Sequence, residues 1–208
     1  MSCLHFGLVP QERETSVRHW LLAHYREENF FPYTHQFLLE EIYKVNTEQT
    51  DREALDLIRT RWAGMAKSET GTCWEGFRPG ENCHEAGAVP AYFLSTYVLG
   101  VRLDGPVAGR HLIVQPRLAD LQEAAGTVVT ELGLVPVQWK RTNPDGELEF
   151  QIEIPNESHA TLFLPFTGNE LVLILDNQTR SGTQIQVQNR FIVTEIGSGI
   201  HHGRLSSN

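Results

Sequence analysis

The chain has 208 residues, of which 40% are hydrophobic and 21% charged, and its 26 acidic and 17 basic side chains give a formal net charge of −9. This composition is typical of a globular protein and excludes a collagen-like or low-complexity chain. The acidic balance and the lack of a basic run argue against a nucleic-acid partner. No stretch of about 18 apolar residues and no signal-peptide pattern is found, so we predict no membrane partner. Localisation stays unknown, with the cytoplasm as the default expectation.

Apolar residues recur at helical spacing before about residue 100, which predicts four helices. The first helix extends from Glu12 to about Asn29, and the second follows Pro32. Their apolar faces are Val17, Trp20, Leu21, His24 and Tyr25 in the first, and Leu38, Ile42 and Val45 in the second.

The third and fourth predicted helices have recognisable ends. The third begins at Thr50–Glu53, which matches a capping box. The fourth extends from about Pro90 to Leu99, with proline in its first turn and Gly100 just after its end. The apolar face of the third helix is Leu55, Ile58, Trp62 and Met65.

Beyond Gly100 the apolar residues alternate instead, which predicts strands. Leu134–Arg141 and Glu147–Ile154 alternate most clearly, and the Asn-Pro-Asp-Gly turn at residues 143–146 predicts that they form an antiparallel hairpin. Several short strands at regular spacing indicate a β-sandwich. The other predicted strands are His111–Gln115, Ala160–Leu164, Leu171–Leu175, Gln184–Val187 and Phe191–Ile196.

The sequence therefore predicts an α+β protein of two domains. A helical domain covers residues 1–104, and an antiparallel β-sandwich covers residues 105–198. The joint falls at Gly105-Pro106, and residues 199–208, with their His201-His202 pair, are expected to form a flexible tail.

The side chains best suited to catalysis or ligand binding lie in a predicted loop at residues 68–85, between the third and fourth helices. This loop contains Trp74, Glu75, Phe77, Arg78 and His84. Loops on a rigid scaffold often carry binding and catalytic groups. Aromatic rings can pack on the C–H face of a sugar, and carboxylates can act as general acid and base across a glycosidic bond. The alternative is an ordinary solvated loop that is rich in Glu and Gly.

A metal site is the weaker hypothesis for this loop. Zinc sites use closely spaced Cys and His ligands, whereas nine residues separate Cys73 from Cys83 and His84 directly follows Cys83. We therefore predict no metal and no cofactor. The chain has three cysteines, and this odd number argues against a disulfide framework, so buried free thiols are the expected state.

A series of motifs resembles the C-terminal part of bacterial α-L-rhamnosidases, which are six-hairpin glycosidases. The resemblance covers residues 5 to about 141. It implies the end of an (α/α)₆ toroid of twelve helices, followed by a C-terminal antiparallel β-sandwich. It also implies an inverting hydrolase that releases terminal L-rhamnose and needs no cofactor. The matching segments are Phe6–Pro10, Trp62–Met65, Gly71–Glu75, Cys83-His84, Pro90–Val101, Leu112–Pro116, Ala125–Val128 and Gly133–Trp139.

The resemblance also implies roles for the loop. Glu75 is implied as the general base, His84 as a sugar contact and Trp74 as a wall of the sugar pocket. Phe77 and Arg78 are further substrate-binding candidates, and Arg78 or His84 is expected to help keep Glu75 ionised. Family members usually carry an aromatic residue where this chain has Ala86, so the identity of the sugar stays open.

Only four of the twelve toroid helices have counterparts in this chain, and no residue matches the family's general acid. The resemblance implies that the substrate is a rhamnoside. We also expect the missing N-terminal part of the toroid to lie in a longer polypeptide or in a separate chain, and this chain alone to be inactive. Two alternatives are a carbohydrate-binding module without catalytic activity and a structural subunit that completes a ring.

Overall fold

The computed structural model describes residues 2–25, 31–80, 83–142, 147–165, 171–180, 186–188 and 191–207. The chain forms two compact units, Met1–Phe93 and Leu94–Asn208. The first unit is helical, and the second consists mainly of β-strands. The α+β class predicted from the sequence is confirmed. The predicted domain boundary after residue 104 stays a prediction.

Six α-helices are found in the described part of the first unit. They confirm the positions of the predicted helices, and the fourth predicted helix comprises α6 and a π-helix at Leu94–Val98 that follows it directly and belongs to the second unit. Within the described residues, no helix is both long enough and apolar enough to span a bilayer. The helices are α1 Ser2–His5, α2 Gln11–His24, α3 His35–Lys44, α4 Glu48–Arg61, α5 Ala63–Ala66 and α6 Val89–Phe93, with 3₁₀ turns at Pro32–Thr34 and Glu85–Ala88.

The core of the first unit is built around α3 and α4. Leu38 and Ile42 on α3 are completely buried, and Leu55 and Ile58 on α4 are nearly so. Trp20, on the predicted apolar face of α2, is 58% exposed. The Trp20 ring instead stacks on the His24 ring with a centroid distance of 4.7 Å.

Helix α4 begins earlier than the sequence indicated. Thr47, with φ −119° and ψ 157°, is the N-cap residue, and its hydroxyl accepts a hydrogen bond from the Thr50 N–H at 3.2 Å. The Thr47 N–H in turn donates to Thr50 Oγ1 at 3.2 Å. The predicted box at Thr50–Glu53 is therefore wrong by one turn, because Thr50 fills the N3 position with a hydroxyl, where the usual motif has Glu or Gln.

An ion-pair cluster joins α2 to α3. The carboxylate of Glu41 is completely buried, and it accepts from Arg18 Nε at 2.9 Å and from Lys44 Nζ at 2.6 Å. A buried charge without such partners would cost several kcal/mol. These contacts therefore fix the packing of the two helices.

The second unit contains two sheets that form the β-sandwich. The five-stranded sheet has the order β1-β2-β6-β10-β9, and the six-stranded sheet has the order β3-β4-β5-β11-β7-β8. The strands are β1 Val101–Leu103, β2 His111–Val114, β3 Glu123–Thr130, β4 Gly133–Arg141, β5 Leu148–Ile154, β6 His159–Pro165, β7 Leu171–Leu175, β8 Gln178–Arg180, β9 Gln186–Gln188, β10 Phe191–Ile196 and β11 Gly199–Ser207.

The five-stranded sheet departs from the predicted all-antiparallel arrangement. β2 pairs with β6 in parallel, with His111 opposite His159 and Val114 opposite Leu162. A parallel pair needs a long crossover connection. The chain between β2 and β6 supplies it, since it first builds β3, β4 and β5 of the other sheet.

The alternation predicted for β4 and β5 is confirmed. Along β5 every second residue is buried, from Leu148 to Ile154, and the residues between them are exposed. The predicted turn at residues 143–146 lies outside the described residues. The two strands nevertheless pair antiparallel, with Lys140 opposite Glu149. The completely buried Trp139 donates from its indole nitrogen to the Val98 carbonyl at 3.0 Å.

The prediction of a flexible tail was wrong. Residues of the expected tail form β11, which lies in the interior of the six-stranded sheet between β5 and β7. His201 is held by the Asp176 carboxylate at 2.7 Å from Nδ1 and by the Gly197 carbonyl at 3.0 Å from Nε2. The strand was missed because its side chains are mostly polar, although Leu205 is completely buried.

Candidate active-site loop

The candidate loop connects α5 to the 3₁₀ turn at Glu85–Ala88, and its two ends are bound together. The His84 N–H donates to the Cys73 carbonyl at 3.0 Å. The Trp62 indole donates to the Gly87 carbonyl at 2.6 Å, and the Trp74 N–H lies 3.4 Å from the sulfur of Met65. These bonds fix the backbone on both sides of Glu75 and His84.

Trp74 is a core residue of this region. Its side chain is 5% exposed, and it forms a buried cluster with Trp62 and Met65. Two glycines make room for it: a Cβ at Gly87 would lie 2.5 Å from the Trp74 carbonyl oxygen, and one at Gly64 would lie 3.3 Å from the indole ring. The Trp74 indole nitrogen is buried and has no hydrogen-bond partner among the described residues.

Glu75 follows this buried tryptophan and is exposed. Its carboxylate forms no ion pair or hydrogen bond with any described residue, and the same holds for the exposed side chain of Arg78. Arg78 and His84, which we expected to support the ionised form of Glu75, are thus not in contact with it. The loop presents a fixed backbone with a solvent-accessible carboxylate.

His84 is the N-cap residue of the following 3₁₀ turn. Its Nδ1 atom accepts from the Ala86 N–H at 3.3 Å and lies 3.8 Å from the Glu85 carboxylate. The side chain is 40% exposed. The cap orients the ring relative to the loop backbone while the ring stays accessible to solvent.

Phe77 belongs to an aromatic cluster with a histidine that the sequence analysis missed. Its ring makes edge contacts with His35 and Trp62, with centroid distances of 5.2 and 5.1 Å. His35 is 1% exposed, and its Nδ1–H donates to the Phe31 carbonyl at 2.9 Å. Burial lowers the pKa of His35 to about 4, and the nearby Arg61 charge acts in the same direction.

No signal in the sequence distinguishes His35. It follows a Pro-Tyr-Thr segment at the start of a predicted helix, and a single histidine there is as compatible with the surface as with the core. Its burial depends on Phe77 and Trp62, which are distant in sequence, so only the folded structure shows that it supports the candidate loop.

The cysteines and histidines of the loop are not arranged as a metal site. Among the described residues, no group of three or more His, Cys, Asp or Glu side chains is placed to hold a metal ion. The expectation of buried thiols was wrong, because Cys3 and Cys83 are exposed and Cys73 is half-buried. Cys83 also has a positive φ of +64°.

Comparison with known protein families gives one match, which lies in the second unit. Residues 100–174 match the family model of the bacterial alpha-L-rhamnosidase C-terminal domain. No curated protein matches the chain.

Solved structures match nearly the whole chain. The alpha-L-rhamnosidase of Dictyoglumus thermophilum has a TM-score of 0.76 and 17% identity over 99% of this chain and 25% of its own. The Streptomyces avermitilis alpha-L-rhamnosidase complexed with L-rhamnose has a TM-score of 0.77 and 17% identity over 98% of this chain and 21% of its own. A GH78 family rhamnosidase of Bacillus sp. GL1 has a TM-score of 0.64 and 24% identity over 77% of this chain and 18% of its own.

These identities establish the fold alone, and the chain spans about a quarter or less of the length of the three enzymes. The family match and the structural matches nevertheless both point to alpha-L-rhamnosidases. Residues 100–174 are therefore similar to the C-terminal domain of these enzymes, and nearly the whole chain shares the fold of a part of them.

Proposed function

We propose that this chain forms the C-terminal part of an inverting glycoside hydrolase that releases terminal L-rhamnose. The observation that carries the proposal is the match of residues 100–174 to the rhamnosidase C-terminal domain. The likeness of nearly the whole chain to solved alpha-L-rhamnosidases supports it, and one of those structures holds L-rhamnose.

The helices of the first unit would be the last part of an (α/α)₆ toroid. Large apolar side chains on α2 and in the segment between α1 and α2 are exposed, with Phe6 at 61%, Leu8 at 72% and Trp20 at 58%. Apolar surface of this kind favours contact with another protein surface. The missing toroid helices, in a longer polypeptide or in a separate chain, would cover it.

Glu75 would be the general base. Its carboxylate is exposed and has no partner among the described residues, while the adjacent Trp74 anchors the backbone in the core. In an inverting hydrolysis, such a carboxylate takes a proton from a water molecule as that water attacks the anomeric carbon. A second carboxyl group, about 6.5–9.5 Å away, protonates the leaving oxygen. That group would come from the missing helices.

The remaining loop residues would bind the sugar. His84 is oriented by its cap and accessible, so its ring could bind a sugar hydroxyl. Arg78 is exposed and free of described partners, which leaves its guanidinium available to a substrate oxygen. Phe77 is half-buried against His35 and would border the site with its ring, whereas Trp74 would act mainly by supporting the loop.

The proposal is tested with an aryl α-L-rhamnoside. We expect the purified 208-residue chain to give no turnover, and the chain purified together with the missing helices to be active. In the active assembly, Glu75→Gln is expected to lower kcat by about 10²- to 10⁴-fold, the usual range for loss of a general base. Glu69→Gln, an exposed carboxylate of the same loop, is the matched control and should leave kcat unchanged.

Two results would contradict the proposal. Turnover by the chain alone that Glu75→Gln abolishes would show that the acid is already present. Full activity of the assembly with Glu75→Gln would show that another group is the base.

A further inference from the structure

A groove of about 460 Å³ lies on the outer face of the six-stranded sheet and is separate from the candidate loop. We propose that this groove is a second saccharide-binding site, which takes a neutral sugar without cleaving it. Its polar lining is provided by Gln138, Lys140, Glu149, Gln151, Asn177, His202 and Arg204.

The pairing of the strands arranges these side chains in two rows. Gln138 on β4, Gln151 on β5 and His202 on β11 are directly opposite one another. Directly paired residues of neighbouring strands point to the same face of a sheet, and the strands are about 4.8 Å apart. The first row therefore places two amides and an imidazole side by side over a span comparable to that of a sugar ring.

The hydrogen-bonding groups of this first row have no partner in the part of the chain that the structure describes. Gln138, Gln151 and His202 are exposed, and none of their side chains bonds to another described residue. Asn177 adds a third amide from the β7–β8 turn, where its φ of +63° places it at the edge of the groove. Each amide offers two donors and an acceptor, which suits neighbouring hydroxyl groups that both donate and accept.

The charges of the second row, Lys140, Glu149 and Arg204, are compensated by one another and by two glutamates outside the row. Lys140 Nζ lies 3.8 Å from Glu123, and Arg204 lies 3.5 Å from Glu147. Glu149 is directly opposite both Lys140 and Arg204. Because cations and carboxylates alternate here, neither an anion nor a metal ion is favoured, and a neutral polyhydroxylated ligand fits the groove best.

The floor of the groove is rigid. Gly203 of β11 lies beneath it, and a Cβ at this position would come within 2.0 Å of the Phe150 ring, so that ring packs directly against the main chain of Gly203. Trp139 and Leu205 on the same inner face are completely buried. Side chains on a backbone held in this way lose less conformational entropy on binding than side chains on a loop.

Ile174 supplies an apolar contact at one end of the groove. It is directly opposite Arg204 and is 36% exposed. Sugars have C–H faces as well as hydroxyl groups, so a binding site needs both kinds of surface. The groove requires only a neutral sugar, and the choice of L-rhamnose as the first probe rests on the proposed function.

The test is a titration of the intact chain with L-rhamnose, D-glucose and D-galactose, followed by NMR of the side-chain amide groups. We expect the signals of Gln138, Gln151 and Asn177 to shift with at least one sugar. Gln151→Ala should weaken the binding about three- to tenfold, the equivalent of one hydrogen bond. Gln122→Ala, an exposed amide of the same unit that does not line the groove, should have no effect.

Three outcomes would overturn the proposal: no shift of the groove amides with any of the three sugars, shifts that Gln151→Ala leaves unchanged, and shifts produced by inorganic phosphate instead. Glu75→Gln separates the two proposals. It should leave binding in the groove intact even if the proposed hydrolysis fails.

Discussion

Acid is expected to destabilise the first unit through His35. Its pKa is about 4 in the folded protein, against 6.5 for an ordinary histidine, because the ring is buried beside Phe77 and Trp62. Between these two values the unfolded chain binds a proton that the folded chain does not. The free energy of unfolding must therefore fall as the pH falls from 6.5 towards 4.

The size of this effect follows from the two pKa values. One pH unit corresponds to about 1.4 kcal/mol for one proton. Lowering the pH from 7.5 to 5 should therefore reduce the free energy of unfolding by about 2 kcal/mol through His35 alone. Below pH 4 the total reduction in the free energy of unfolding approaches about 3 kcal/mol. For a protein of ordinary stability this is a substantial fraction of the whole.

The assay is urea unfolding followed by tryptophan fluorescence at several pH values between 7.5 and 5. His35→Asn keeps a donor in the place of Nδ1 but cannot be protonated. It should be less stable at pH 7.5, because ring packing is lost, and its stability should depend less steeply on pH. The exposed His19→Asn is the control and should keep the slope of the parent chain. An equal slope in the parent chain and in His35→Asn would refute the reasoning.

Two further predictions concern the support of the loop and the last strand. Gly87→Ala would place its Cβ 2.5 Å from the Trp74 carbonyl oxygen, so we expect the free energy of unfolding, measured with urea, to fall by about 2 kcal/mol or more. Gly109→Ala is the control and should have little effect, because no heavy atom lies within 4 Å of the new carbon. Removal of residues 199–208 deletes the strand between β5 and β7, so the NMR signals of the second unit should lose the chemical-shift dispersion of a folded protein. A chain that lacks only residue 208 should keep the parent spectrum. A folded truncated chain, or equal stability of the two glycine variants, would contradict these predictions.

The strands that the sequence predicted well are those whose two faces differ in polarity. In β5 every inward residue is large and apolar and every outward residue is polar, so the period of two is unmistakable. In β11 the inward set includes His201 and Gly203, and only Leu205 is a large apolar residue. It is an interior strand because it pairs with β5 and β7, and the local sequence of β11 does not predict that pairing.

The candidate loop shows that a local sequence motif also leaves the packing of its side chains undetermined. The resemblance selects Glu75 and His84 because they lie in a short motif, and its assignment of Trp74 to the wall of a sugar pocket stays a prediction. The structure buries this indole against Trp62 and Met65, and the space for it is provided by Gly64 and Gly87, one on each side of the loop in sequence. Packing partners outside the motif decide whether an aromatic ring faces substrate or core.

The backbone alternates at this point between a buried and an exposed residue. Trp74 is buried, Glu75 is exposed and Gly76 is buried again. The core of the first unit thus holds the backbone from which the candidate base extends, and His35 and Phe77 belong to the same support. A substitution in this core should therefore affect both stability and any hydrolysis that depends on Glu75, whereas a substitution of Glu75 itself should affect hydrolysis alone.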